Sequence, residues 1–515
     1  MKQFAKRTLA LVLSLLMLLP AAALAVQAAT RVDLPIIYVA GKYAEIYNAD
    51  ESQRLYPLDP PAMQTVTDNL EPLYKAYIAA DTLGKWKEFA DKIYDTLAPR
   101  FEPLVMDDSG NPRYRTHTKA LPAPVDKKSG YWLHDYMFKY DSRLDPYENA
   151  RYLDIYINNV LAVTGKKQVN LIGRCLGTTV VATYLTQYGC EKVRTAIFYA
   201  SAFNGVYMMD GFFSCDFDLN YDRIKAFLDK GYMDMLGNFD SMRNGAETLD
   251  KLGLFGPGVK SANTALQKLR PYLFPRLTLA IFGTWPGHWA MISKEAFQKA
   301  KETTLADTEK YANLINKVER YQNNVMAKFP ETLEKCRQEG MHFAIICKYN
   351  IPIIPLSPNS SLQADGTVEL KTMSLGATAA DIDHILPTKY IKDLQSSGND
   401  QYLSPDYVVD ASTCQYPEYT WFIKDCPHAA YPTDFNQFFL TIFRSQEQVD
   451  IHTYPEFPQF TAYNKDTDTI RPLTSADTPD LPNDEEPNDQ PTGFQLFLQR
   501  LREFFQRIAD FFRIG

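Results

Sequence analysis

Val169-Asn170-Leu171-Ile172-Gly173-Arg174-Cys175-Leu176-Gly177-Thr178-Thr179 decides how the rest of this chain is read. A short apolar run meets Gly-x-Cys-x-Gly and passes into helix-compatible sequence. The spacing predicts a buried strand, a sharp turn and a helix, with Cys175 at the apex of the turn. Gly173 and Gly177 leave room for close backbone packing, so that the sulfur stands up at the end of the sheet. The start of the following helix favours negative charge, which suits a nucleophilic thiolate. The backbone N–H of Leu176, directly after the cysteine, is placed to receive an oxyanion.

The flanking sequence extends the pattern. Leu34-Pro35-Ile36-Ile37-Tyr38-Val39 reads as a buried strand ending at Ala40-Gly41-Lys42. Segments 67–80 and 83–98 have helical periodicity. Trp132 to Tyr140 reads as a strand, and Pro146 to Val163 as a helix with proline in its first turn and Gly165 at its end. Thr178 to Tyr188 then fits a helix and Val193 to Ala200 a second buried strand. This alternation predicts a mainly parallel central sheet with helices on both faces. From 203 to about 340 the rhythm breaks into sequence rich in Phe, Tyr, Met and Gly, then into strongly helical sequence. A mostly helical cap inserted over the strand ends is expected there. His342 to Cys347 resumes the sheet, Thr420 to Lys424 is the expected last strand, and Asp434 to Phe443 the closing helix.

The two ends of the chain differ from its middle. Lys2, Lys6 and Arg7 precede an apolar run, Leu9 to Leu19, and small residues follow, so residues 1–29 read as a secretory signal peptide. The expected location is secreted or associated with the cell envelope. Residues 30–463 form the expected catalytic domain. Residues 464–492 carry eight acidic residues, two basic ones and five prolines, and read as a linker. In 493–515, Phe494, Phe497, Leu501, Phe504, Ile508 and Phe511 fall on one helical stripe, with Arg500, Arg502, Arg507 and Arg513 among the polar positions. Such a basic amphipathic helix suits a membrane surface; docking back on the domain and self-association are the other possibilities. The formal net charge of -8 argues against nucleic acid as a partner. Seven cysteines leave at least one thiol unpaired within the chain, and Cys175 is the expected free one. No CxxC pair or histidine cluster has metal-ligand spacing, and no cofactor is expected.

Several spaced segments together resemble the lecithin:cholesterol acyltransferase-like group of α/β-hydrolases. Leu34 to Lys42 is similar to that group's first strand and Pro-Gly loop, with Ala40 in place of Pro. Tyr140-Asp141-Ser142-Arg143 resembles its Tyr-Asp-Trp-Arg segment, and Thr284-Trp285-Pro286-Gly287-His288-Trp289 resembles the Pro-Ser-x-x-Trp segment of its cap. Val169 to Gly177 matches its nucleophile turn, except that Cys175 replaces Ser and Arg174 replaces His. Gly-x-Cys-x-Gly is also similar to the elbow of polyhydroxyalkanoate synthases and dienelactone hydrolases, which use a Cys-Asp-His triad. The resemblance implies an α/β-hydrolase fold and acyl chemistry, with nucleophile, acid and histidine in that chain order.

Lys42 and Leu176 would supply the oxyanion N–H groups. Of the seven histidines, His428 lies just past the last expected strand and fits the base best, with His384 and His452 as rivals. Asp406-Tyr407-Val408-Val409 resembles the group's Asp-Gly-Thr-Val acid loop and lies 22 residues before His428, so Asp406 is the first choice of acid. Asp365-Gly366-Thr367-Val368 matches the four letters more literally and makes Asp365 the alternative, although Asp-Gly is also a common turn. Asp410 and Asp383 rank behind these two. Asp141 and Arg143 read as a structural polar pair, and Trp285 and Trp289 as cap core or acyl-pocket lining. An aromatic cap suits a lipid or other hydrophobic acyl substrate. The expected activity is that of an exported lipase-like hydrolase or acyltransferase working through an acyl-thioester. The competing expectation is a catalytically inactive, envelope-associated protein on the same scaffold.

Overall fold

Seven segments that each run parallel to a neighbour make the core of this protein, because strands buried on both faces need few polar residues. In the computed structural model, which describes residues 34–41, 44–59, 65–66, 68–118, 136–230, 239–356 and 358–481, these join one further strand in one sheet. The strands are β1 (Ile36–Val39), β2 (Tyr136–Phe138), β3 (Val169–Arg174), β4 (Val193–Tyr199), β5 (His342–Tyr349), β6 (Thr420–Lys424), β7 (Phe460–Asn464) and β8 (Thr469–Pro472). Their order across the sheet is β8-β7-β6-β5-β4-β3-β1-β2. Every pairing is parallel except β7 with β8. The leader 1–29, Lys42, and segments 482–492 and 493–515 lie outside the described residues.

The parallel register gathers the strand ends that matter on one edge. Gly173 pairs with Phe198, Tyr199 with Ile346, and Tyr349 with Lys424. The C-terminal ends of β3, β5 and β6 therefore open toward the same side, where open α/β sheets place their sites. The helices include α1 (Leu70–Leu83), α2 (Trp86–Phe101), α3 (Pro146–Thr164), α4 (Gly177–Tyr188), α5 (Tyr207–Ser214), α6 (Phe255–Thr278), α7 (Phe329–Gln338) and α8 (Asp434–Arg444), with others between them. Local chemistry fixes α3 at both ends. The Asp145 side chain accepts the Tyr147 N–H, Pro146 opens the first turn, and Gly165 closes the helix with φ +67°. This is the mainly parallel sheet with surrounding helices that the alternation of strands and helices implied.

Two expectations need correction. Thr420–Lys424 is not the last strand, because β7 lies parallel beside it and β8 follows β7 antiparallel. The linker reading of 464–492 fails over its first part for the same reason. Thr469–Pro472 finds backbone partners on β7, Arg471 forks onto Asp477 at 2.6 and 3.0 Å, and Thr474 caps a short 3₁₀ turn. Acidic, Pro-containing sequence at a sheet edge is compatible with order, since an edge strand leaves one side of its backbone unpaired.

The inserted region from 203 to 341 is mostly helical among the described residues, and buried carboxyl groups join its parts to one another and to the segment after β5. Glu369 accepts the Tyr207 N–H at the head of α5 at 3.0 Å, and Asp210 accepts from both the N–H and the hydroxyl of Ser293. The two segments that carried the cap resemblance touch each other. The Gly287 N–H donates to the Arg143 carbonyl, and a Cβ at Gly287 would sit 2.0 Å from the Ser142 carbonyl oxygen. Trp289 is fully buried, with its indole N–H on the Gly283 carbonyl, so its role is cap core.

Asp141 and Arg143 form a fully buried pair at 2.6 Å. The Arg143 guanidinium also donates to the Leu104 carbonyl, the Thr116 hydroxyl and the Thr116 carbonyl. Removing one member leaves the other charge uncompensated. Asp141→Ala is expected to lose about 3–5 kcal/mol of unfolding free energy, read from urea denaturation against the parent chain. A loss under about 1 kcal/mol would contradict the anchoring role.

Candidate active site

The turn after β3 has the conformation that the Gly-x-Cys-x-Gly spacing demands. Cys175 has φ +50°, in the left-handed region that costs a non-glycine residue about 1–3 kcal/mol. Its N–H donates to the Tyr199 carbonyl at 3.1 Å, and its carbonyl accepts from the Thr178 N–H and hydroxyl. The Thr178 hydroxyl in turn accepts the Ala202 N–H. The glycines are dictated by contact. A Cβ at Gly177 would lie 2.3 Å from the Val39 carbonyl oxygen, and one at Gly41 would lie 2.5 Å from the Arg174 carbonyl oxygen and 2.8 Å from the Cys175 Cβ. The loop after β1 thus passes directly over the turn. Leu176 sits at the head of α4, directly after Cys175.

His428 reaches this turn from the loop after β6. Its ring Nδ1 lies 2.7 Å from Asp365 Oδ2, and its backbone N–H donates to the Asp365 carbonyl, also at 2.7 Å. Asp365 is completely buried while the His428 side chain is 19% exposed. The literal Asp-Gly-Thr-Val match is both a turn and a carboxylate holder. Asp365 N–H bonds the Val368 carbonyl, Gly366 has φ +91°, and Asp365 Oδ1 accepts the Thr367 and Val368 N–H groups at 3.0 and 2.8 Å. Ile351, just beyond β5, pairs with Asp365 in parallel, so the acid continues the sheet's own ladder.

Asp406, the first choice from sequence, does not meet His428. Its carboxylate takes the Ser404 hydroxyl at 2.6 Å, the Lys424 ammonium at 2.9 Å and the Tyr349 hydroxyl at 3.1 Å. It bolts its own turn to β5 and β6. A motif letter cannot tell these uses apart; the pairing of Asp365 with Ile351 does. Asp410 accepts from Tyr390 and Ser412, Asp383 pairs with Lys230, and His384 and His452 are exposed. The sequence reading missed the two cations beneath the histidine loop. Arg174 donates to the His428 carbonyl at 2.7 Å, and Lys348 donates to the carbonyls of Pro427, His428 and Ala430. A lysine inside the apolar run of β5 was the available signal.

The electrostatics favour a charged pair. Burial pushes the Cys175 thiol up, but the charge and hydrogen bond of His428 outweigh it and hold the thiol below its ordinary value. Burial works against the His428 imidazolium, yet the charges of Asp365 and Cys175 raise it to about 9. The Asp365 carboxyl, disfavoured by burial, is kept low by His428 and then by Lys348. The remaining six cysteines are buried and unbridged, and burial raises the thiols of Cys190, Cys215, Cys336, Cys347, Cys414 and Cys426.

No family model matches the chain, and no curated protein matches it. Among solved structures it is similar to the Tle4–Tli4 complex at 11% identity and a TM-score of 0.27, over 61% of this chain and 75% of that one. It is also similar to the esterase RhEst1 from Rhodococcus sp. ECU1013, at 17% identity and a TM-score of 0.13, over 33% of this chain and 69% of that one. A bromoperoxidase from Bacillus anthracis matches at 14% identity and a TM-score of 0.13, over 39% of this chain and 81% of that one.

Because His428 favours the thiolate, Cys175 is expected to be the fastest cysteine alkylated by iodoacetamide at pH 7. His428→Ala should slow it at least about tenfold and move its half-reaction pH upward. The check is mass spectrometry of the alkylated peptides across a pH series. Folding linkage has opposite signs for the two partners. The His428 contribution is full below its unfolded value near 6.5 and is lost as pH rises through about 9. That of Cys175 is lost as pH falls through its lowered value.

Proposed function

We propose that this protein is an exported acyl-ester hydrolase or acyltransferase that works through Cys175, His428 and Asp365. The observation that carries the reading is the doubled bond of His428 to Asp365, ring and backbone each at 2.7 Å, beside a cysteine at φ +50° on the strand-to-helix turn. In this reading the Cys175 thiolate attacks the ester carbonyl and expels the alcohol, which takes its proton from His428. The Leu176 N–H, with the loop at 40–42, receives the oxyanion. Water or an acceptor alcohol, deprotonated by His428, then attacks the thioester and releases the acyl group. Asp365 keeps the imidazole oriented and balances its charge. The abundance of Phe, Tyr and Met in 203–340 favours a hydrophobic acyl chain. The leader 1–29 supports export, and the stripe at 493–515 supports contact with a membrane surface.

Cys175→Ala is expected to abolish turnover of short-chain p-nitrophenyl esters, while Cys175→Ser retains a measurable fraction. The parent chain should show an acyl adduct on Cys175 by intact-protein mass spectrometry after brief mixing. Asp365→Asn should lower kcat/KM by about 10²–10⁴-fold, and Asp406→Asn by less than about threefold once corrected for folded fraction. Full activity in Cys175→Ala, or equal losses in the two asparagine variants, would refute the assignment.

A further inference from the structure

We propose that Lys348 and Arg174 are positioning residues that hold the His428 loop by its backbone carbonyls and thereby set the Cys175–His428 pair. The inference rests on the triad reading above and deepens it. Lys348 lies on β5 and is fully buried, an expensive place for an ammonium. Among the described residues neither it nor Arg174 makes a salt bridge to a carboxylate. Apart from the Tyr38 hydroxyl, 3.5 Å from Arg174, their hydrogen-bond partners are carbonyl oxygens of one short loop. Lys348 Nζ donates to Pro427 at 2.8 Å, His428 at 3.2 Å and Ala430 at 2.7 Å. Arg174 donates to His428 at 2.7 Å. The Tyr199 hydroxyl donates to Ala430 at 2.6 Å, and the Tyr199 ring lies beneath both cations, 4.5 Å from the Lys348 ammonium and 5.5 Å from the Arg174 guanidinium.

This arrangement does two things at once. All three donors of the ammonium are spent on one peptide segment, so the loop carrying His428 is fixed relative to β5 and to the turn bearing Cys175. The charges also bear on the reacting groups. Lys348 helps keep Asp365 ionised, and Arg174 feels the charge of Cys175. Burial lowers the Lys348 ammonium to about 8, with Cys426 and Asp365 opposing that, so it stays largely charged at neutral pH. The groups facing it are Asp365, Cys426, Arg174 and Tyr199. A purely structural lysine would have no reason to act on both the histidine and its acid.

The test measures the pH dependence of Cys175 alkylation in folded full-length protein, with Lys348→Met, Arg174→Gln and Tyr199→Phe beside the parent, His428→Ala and Asp365→Asn. Circular dichroism checks the fold of each. Lys348→Met and Arg174→Gln are each expected to shift the half-reaction pH upward by about half a unit or more, and Tyr199→Phe by less. If Lys348→Met does not fold, Arg174→Gln decides. Folded variants whose profiles overlay the parent would overturn the proposal, whatever their Tm. If His428→Ala moves the profile and the clamp variants do not, the clamp alone fails. If His428→Ala also overlays the parent, the triad reading itself fails.

Discussion

A charge buried at the edge of a protein sheet must be held by something that will not move, and here that charge is the Asp365 carboxylate. It is completely buried, yet every oxygen is used: one by the His428 ring, the other by the N–H groups of Thr367 and Val368. The same residue offers its carbonyl to the His428 backbone. Ring and main chain of the histidine are therefore referred to a single residue, and that residue is itself paired with the extension of β5. Rotating the imidazole away would break its ring bond in a low-dielectric setting where an unpaired carboxylate is costly. The site's geometry follows from that cost.

The turn that bears Cys175 is built by exclusion. Gly41 and Gly177 carry no Cβ because the strand and turn backbones occupy that space, and Cys175 adopts a left-handed φ between them. The strain is held by bonds to Tyr199 and Thr178 rather than by cysteine's own preference. A conformation that the residue does not favour persists because its surroundings over-determine it. The parallel register then carries this apex and the histidine loop to the same edge.

Buried ions recur throughout the fold, and they divide by what they hold. Asp141 with Arg143 anchors the segment on which the cap docks, and Asp406 with Lys424 fastens a turn to the sheet. Glu369 is not one of them: burial pushes its carboxyl up to about 8, which favours the neutral form at neutral pH, and it accepts the Tyr207 N–H at the head of α5. Lys348 and Arg174 differ in spending their donors on backbone carbonyls of the histidine loop. Paired ions secure segments here; the two cations without a carboxylate partner secure the loop that bears His428.

Local patterns in the chain already specified much of this. Apolar runs, glycine spacing and the proline and glycine at the ends of 146–165 define strands, the Cys175 turn and α3, because those depend on neighbours within a few residues. The position of His428 just after a strand was also legible, since Thr420–Lys424 forms that strand. The choice between Asp365 and Asp406 was not. Both sit in similar short motifs, and their roles differ only in which strand extension each loop pairs with, a contact across dozens of residues. The edge strand Thr469–Pro472 was hidden for a related reason: acidic, proline-bearing sequence becomes ordered only when a neighbouring strand offers its backbone. Periodicity and turn chemistry are local and can be read along the chain, whereas the partner of a buried charge or of an edge strand is fixed only when distant segments meet.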